Sequence, residues 1–178
     1  MADLTEKFKK IKAFVFDVDG VLTDGSIIAT EDGALLRSFD AKDGMGFRIA
    51  HMQGYHLGVI TGGRCKSIWL RFKHIGVSKE DCYLKSRDKM ADFRDFLSRH
   101  NLAAEEVMFF GDDLPDIPVM KACGCSACPS DAVPEVLEVA DYISPKPGGK
   151  GVARNAIELV LRLQDKWKLD IEDYSDKF

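Results

Sequence analysis

The chain has 178 residues, 46% of them hydrophobic and 30% charged, with a formal net charge of −4. That length can bury one core without cross-links, and that charge offers no basic surface for nucleic acid. An anionic substrate stays open, because a bound metal and local lysines can invert the field inside a cleft.

In chain order, Met1–Lys12 is charged throughout and lacks the apolar stretch of a signal peptide. No apolar run reaches membrane-spanning length, and the five cysteines are odd in number, so a cytoplasmic protein with reduced thiols is expected. Ala13–Phe16 reads as a buried strand running straight into Asp17, Asp19 and a glycine turn. Two apolar runs around Glu31-Asp32-Gly33 predict a small hairpin over about 26–40. Helices are expected at Asp43–Gln53, Lys66–His74, Asp88–Arg99, near Asp116–Ala122, near Val133–Glu138 and at about Val152–Leu163. Strands are expected at Leu57–Ile60, Cys82–Leu84, Val107–Phe110, near Cys125–Ala127 and at Tyr142–Ile143. Short apolar strands alternating with helices predict an α/β fold, a parallel sheet covered by helices on both faces. No linker divides the chain, so a single domain spanning 1–178 is expected, with a charged tail at about 165–178.

In such sheets ligands bind beyond the carboxyl ends of the strands. Asp17 and Asp19, Thr61-Gly62, and Asp112, Asp113 and Asp116 all fall there, and Lys89 opens a helix after a short strand. Carboxylates at this spacing repel unless a cation or a proton sits between them. Together they supply what phosphoryl transfer needs: oxygen ligands for Mg²⁺, a carboxylate nucleophile, an acid/base carboxylate, and a hydroxyl and a lysine for the phosphoryl oxygens. Cys123, Cys125 and Cys128 are spaced like thiolate ligands but lack a fourth ligand nearby, and their small side chains suit a packed strand. The four histidines fit no metal or triad spacing and read as surface or helix-end residues.

Asp-Val-Asp-Gly-Val-Leu-Thr-Asp-Gly from Asp17, Thr61-Gly62-Gly63, Lys89, and Gly-Asp-Asp-Leu-Pro-Asp from Gly111 resemble the four motifs of the haloacid dehalogenase superfamily. With the hairpin, the Phe39–Arg48 segment and Gly148-Gly149-Lys150-Gly151, the match is closer to its capless members, the 3-deoxy-D-manno-octulosonate 8-phosphate phosphatases. The resemblance covers about residues 12–164 and implies a Rossmann-like fold with a hairpin flap and no large cap. It implies Asp17 as nucleophile, Asp19 as acid/base and backbone-carbonyl metal ligand, and Asp112 as a direct Mg²⁺ ligand, with Asp113 and Asp116 behind it. Thr61, Gly62 and Lys89 would hold the phosphoryl group. Lys42, Asp43, Gly44, Arg48, Arg64 and Arg71 would meet the sugar acid or a neighbouring subunit of a homotetramer.

Two departures stand out. The family commonly has Thr-Gly-Arg where this chain has Thr61-Gly62-Gly63-Arg64, and Lys42 replaces an arginine, losing its bidentate fork. The implied activity is Mg²⁺-dependent hydrolysis of 3-deoxy-D-manno-octulosonate 8-phosphate for lipopolysaccharide synthesis. A nine-carbon sugar-acid phosphate and a non-catalytic oligomerisation module are the alternatives.

Overall fold

A computed structural model describes residues 4–167 of the chain. The expected tail, beyond Trp167, lies outside the described residues. The elements run α1 (Leu4–Lys10), β1 (Ala13–Phe16), β2 (Ile28–Ala29), β3 (Leu35–Leu36), α2 (Ala41–Met52), β4 (His56–Thr61), α3 (Lys66–Phe72) and β5 (Cys82–Leu84). They continue with α4 (Lys89–His100), β6 (Val107–Phe110), α5 (Ile117–Ala122), β7 (Cys125–Cys128), α6 (Pro134–Val139), β8 (Tyr142–Ile143) and α7 (Val152–Leu163).

Six strands form one parallel sheet in the order β5-β4-β1-β6-β7-β8. β1 lies in the middle, and all four of its residues are buried because both faces are covered. Successive side chains point to opposite faces. Phe14 and Phe16 therefore enter the core under α1, α2, α3 and α7, while Ala13 and Val15 face α4, α5 and α6. Phe16 stacks on Phe110 of β6 at 4.4 Å and packs at a tilt against Phe47 of α2 at 4.6 Å between ring centroids. From β1 the chain builds outward through β4 to β5, then returns to β1's other side for β6. That reversal opens a crevice at the carboxyl ends of β1 and β6.

Three details depart from the sequence reading. Leu4, Phe8 and Ile11 form a helical stripe, and α1 packs there, where no element was expected. Gln164 fastens it by donating to the carbonyls of Phe8 (2.8 Å) and Ile11 (2.9 Å). The hairpin is shorter than its apolar runs: two residues pair on each strand, and both strands are exposed because none of the described residues covers them. His56 is neither at the surface nor at a helix end: it opens β4, half-buried, with its ring 4.2 Å from that of His100, which ends α4 and has Nε2 2.9 Å from Asp81 Oδ1. Among the described residues no helix is long and apolar enough to cross a membrane.

Candidate active site

β1 delivers Asp17 to the crevice. Its N–H donates to the Phe110 carbonyl at 2.9 Å, continuing the sheet ladder by one step, so its side chain is fixed by the sheet rather than by a loop. The chain then turns through Gly20, at φ +90°, where a Cβ would stand 1.9 Å from Asp112 Oδ2. Glycine is required because the second acid of the site occupies that space. Gly148 braces the same turn: a Cβ there would stand 2.0 Å from the Gly20 carbonyl oxygen, which accounts for one glycine of the Gly148–Gly151 stretch.

Lys89, the first residue of α4, crosses from the neighbouring loop. Its Nζ lies 3.1 Å from Asp17 Oδ2 and 2.6 Å from Asp116 Oδ1. Asp116 Oδ2 accepts from the N–H groups of Asp112 (3.2 Å) and Asp113 (3.4 Å). Asp116 thus uses both oxygens to hold the Gly111–Asp113 turn and Lys89, while the Asp113 side chain accepts from the Leu114 N–H at 2.7 Å. Asp17 Oδ1 and Asp112 Oδ1 are buried with no hydrogen-bond partner.

One carboxylate oxygen from each of Asp17, Asp112 and Asp116 lies within 4.8 Å of the others. Burial pushes the Asp17 carboxyl up to about 7, with Asp116 adding repulsion that Lys89 only partly offsets. Burial and the charges of Asp17 and Asp116 raise Asp112 to about 8. Lys89 is held above its ordinary value: burial opposes this, but the charges of Asp17 and Asp116 outweigh it. One ammonium serves three acids. The donor set therefore fits a hard divalent cation, which prefers carboxylate oxygens and would take up the two unpartnered ones.

These groups line a cleft of about 590 Å³, along with Asp19, Thr61, Gly62 and Asp113. Thr61 is buried at the end of β4, its hydroxyl accepting from the Gly63 N–H at 3.0 Å. The Asp19 side chain turns away from the acid cluster to Arg37 of the hairpin, which donates to it from Nε (2.6 Å) and Nη2 (2.9 Å). Sequence reasoning missed Arg37, and also Ser86 and Arg87, which line the cleft just before α4. The signal available for the latter two was their place directly after strand β5.

The other residues implied by resemblance lie elsewhere within the chain. Gly44, Arg48 and Arg71 line a separate depression of about 250 Å³, where Arg48 donates to the His74 carbonyl and Arg71 to the Asp40 carbonyl. Lys42 and Arg64 are exposed and border neither hollow. Asp43 likewise borders neither hollow. It is 4% exposed, and its Oδ1 accepts from the Arg154 N–H at 2.7 Å, so it caps the first turn of α7 from α2. Burial raises its carboxyl to about 6. Asp43→Ala is expected to lower the free energy of unfolding in urea by about 1–2 kcal/mol, the worth of a helix cap, with kcat unchanged. A fall in kcat at unaltered stability would instead return Asp43 to the substrate.

A sequence profile of haloacid dehalogenase-like hydrolases matches residues 68–155. The 3-deoxy-D-manno-octulosonate 8-phosphate phosphatase of Escherichia coli K12 is 36% identical over 165 residues, which span 93% of this chain and 87% of that protein. The chain belongs to this phosphatase family of haloacid dehalogenase-like hydrolases. The phosphatase of Moraxella catarrhalis, solved with magnesium, phosphate and 3-deoxy-D-manno-octulosonate, superposes with a TM-score of 0.91 at 30% identity, over 98% of this chain and 99% of that one. That of Yersinia pestis gives a TM-score of 0.89 at 33% identity, over 93% and 88%. The fold is accordingly that of the family, a parallel α/β sheet with helices on both faces and no large cap in the described residues.

Proposed function

We propose that the protein is a single-domain, magnesium-dependent phosphomonoesterase that converts 3-deoxy-D-manno-octulosonate 8-phosphate to the free sugar acid and phosphate, a step in making lipopolysaccharide precursors in the cytoplasm. The observation that carries this reading is the pair of buried, unpartnered oxygens on Asp17 and Asp112, beside a lysine already committed to Asp17 Oδ2 and Asp116. The family membership and the magnesium, phosphate and sugar acid in the Moraxella catarrhalis structure support it.

Asp17, Asp112 and the backbone carbonyl of Asp19 would hold Mg²⁺, whose charge, when bound, offsets that of the phosphoryl oxygens. Asp17 attacks phosphorus; the ester P–O bond breaks, and a proton passes from the Asp19 carboxyl to the leaving sugar oxygen. Water then attacks the aspartyl-phosphate, Asp19 takes its proton back, and the Asp17–phosphorus bond breaks. Lys89, the Thr61 hydroxyl and the Gly62 N–H steady the phosphoryl oxygens throughout. Asp113 and Asp116 position the metal-binding turn.

The exposed Ile27, Ile28, Leu35 and Leu36 of the hairpin suit a homotetramer in which flaps meet, since a two-stranded ribbon is marginal by itself. In that assembly Lys42, Gly44, Arg48 and Arg71 are assigned to the sugar acid or to the neighbouring copy. The test is phosphate release from the eight-carbon and nine-carbon sugar-acid phosphates side by side, with Mg²⁺ and with EDTA, on protein sized by light scattering. Metal-dependent preference for the eight-carbon ester is expected. Preference for the nine-carbon ester would move the pathway and keep the chemistry. No release from either by a folded tetramer would leave the non-catalytic reading.

A further inference from the structure

Among the described residues, five buried side-chain atoms have no hydrogen-bond partner, and three of them belong to residues that line the cleft: Asp17 Oδ1, Asp112 Oδ1 and Ser86 Oγ. The two carboxylate oxygens suit a cation. The hydroxyl differs, because it can donate a hydrogen bond as well as accept one, and so can meet an anion. A buried hydroxyl without a partner works against the stability of the fold, so the group that completes it comes from outside the chain. Ser86 is also held more firmly than its place between β5 and α4 requires. β4 and β5 pair as far as Thr61 and Leu84, and two more bonds continue past the strands. The Lys85 N–H donates to the Gly63 carbonyl at 2.9 Å, and the Ser86 N–H to the Thr61 carbonyl at 3.0 Å. These bonds keep Lys85 in the left-handed region at φ 61°, a conformation that side chains disfavour. The kink sets Ser86 against the turn after β4, its carbonyl oxygen 4.0 Å from where a Cβ on Gly62 would stand.

The seat formed by Thr61, Gly62 and Lys89 has use for another donor. An ammonium has three protons, and that of Lys89 already holds Asp17 and Asp116. The Thr61 hydroxyl accepts from the Gly63 N–H and has a single proton to give. With the Gly62 N–H, these groups supply one donor each. The transferring group spreads its charge over three equatorial oxygens, each able to accept more than one hydrogen bond. We propose that Ser86 is a further phosphoryl-binding residue, its hydroxyl donating to an oxygen of the group seated between Thr61-Gly62 and Lys89. The assignment rests on the phosphatase reading above.

The test is calorimetric titration of inorganic phosphate into the full chain with Mg²⁺, for wild type, Ser86→Ala and Ser86→Cys. Urea midpoints without ligand, and kcat and KM on the eight-carbon ester, are measured alongside. Ser86→Ala is expected to weaken phosphate binding roughly 10–100-fold, the worth of a hydrogen bond to a charged group, and to lower kcat/KM by a similar factor. Its ligand-free urea midpoint should hold or rise, because the substitution removes a buried hydroxyl that no protein group satisfies. Ser86→Cys keeps the shape with a weaker donor and should bind phosphate between wild type and Ser86→Ala. A lower midpoint in Ser86→Ala, whatever its affinity, would overturn the assignment, since the hydroxyl would then serve the fold itself. Unchanged affinity would overturn it as well, and is the result expected if a buried water completes the hydroxyl. Wild type that neither binds phosphate nor releases it from the ester removes the phosphatase reading and the assignment together. Wild type that does both, matched by Ser86→Ala, removes the assignment alone.

Discussion

Asp17→Asn is expected to lower turnover roughly 10⁴-fold or more, the scale on which loss of a nucleophile acts, with the size of the particle in light scattering unchanged. The amide keeps the shape of the side chain but cannot attack phosphorus. The same substitution should stabilise the metal-free protein. In the fold, burial first and Asp116 second raise the Asp17 carboxyl to about 7, against 3.8 for the ordinary group. The unfolded chain therefore gives up this proton at lower pH than the native one. Wild-type stability is undiminished below the unfolded value, falls as pH rises toward the native value, and levels off once that is passed. Asp112, raised to about 8, extends the decline upward. Melting temperature measured from pH 4 to pH 9 without metal should fall more steeply for wild type than for Asp17→Asn, and Mg²⁺ should raise wild type more than the variant. Parallel curves, or retained turnover, would remove Asp17 from the role assigned to it.

The legibility of this site in the sequence follows how local each feature is. β1 and β6 were readable as four-residue apolar runs because a strand covered on both faces needs no polar alternation, and Asp17 and Asp112 follow directly from where those runs stop. Lys89 was readable as the start of a strongly periodic helix whose Asp88 cap accepts from the Ala91 N–H. Arg37 was not, because its partner is 18 residues away across a hairpin whose register the sequence leaves loose, and a strand-end arginine ordinarily faces water. Asp43 sits in a stretch resembling a substrate segment, but the α2–α7 packing, set at long range, turns it toward the N-terminus of another helix. Arg64 follows the same logic: with Gly63 inserted before it, the turn leaves it exposed, and the guanidinium 3.5 Å from where a Cβ on Gly63 would stand is that of Arg37 from the flap.

Lys89→Met should damage both stability and chemistry, and the two can be separated. Nζ bridges Asp17 and Asp116, whose side chains are 11% and 1% exposed, so removing it strands two desolvated carboxylates. Breaking a buried pair from one side costs about 3–5 kcal/mol, because the surviving charge has neither water nor a countercharge. Turnover should fall about 10²–10³-fold through loss of a donor aimed at the phosphoryl oxygens. Neutralising the stranded partner tests which effect is which. In the double variant Lys89→Met/Asp116→Asn, one of the two stranded charges is gone, its repulsion on Asp17 goes with it, and the Asn side chain can still accept from the Asp112 N–H, so the urea midpoint should recover part of its loss. Turnover should not recover, since no cation has returned to meet the phosphoryl group. If turnover rises in step with the midpoint, Lys89 acts by holding the acid cluster together, and charge stabilisation of the transferring group must come from elsewhere in the cleft, with Arg37 and Arg87 the cationic side chains placed to supply it.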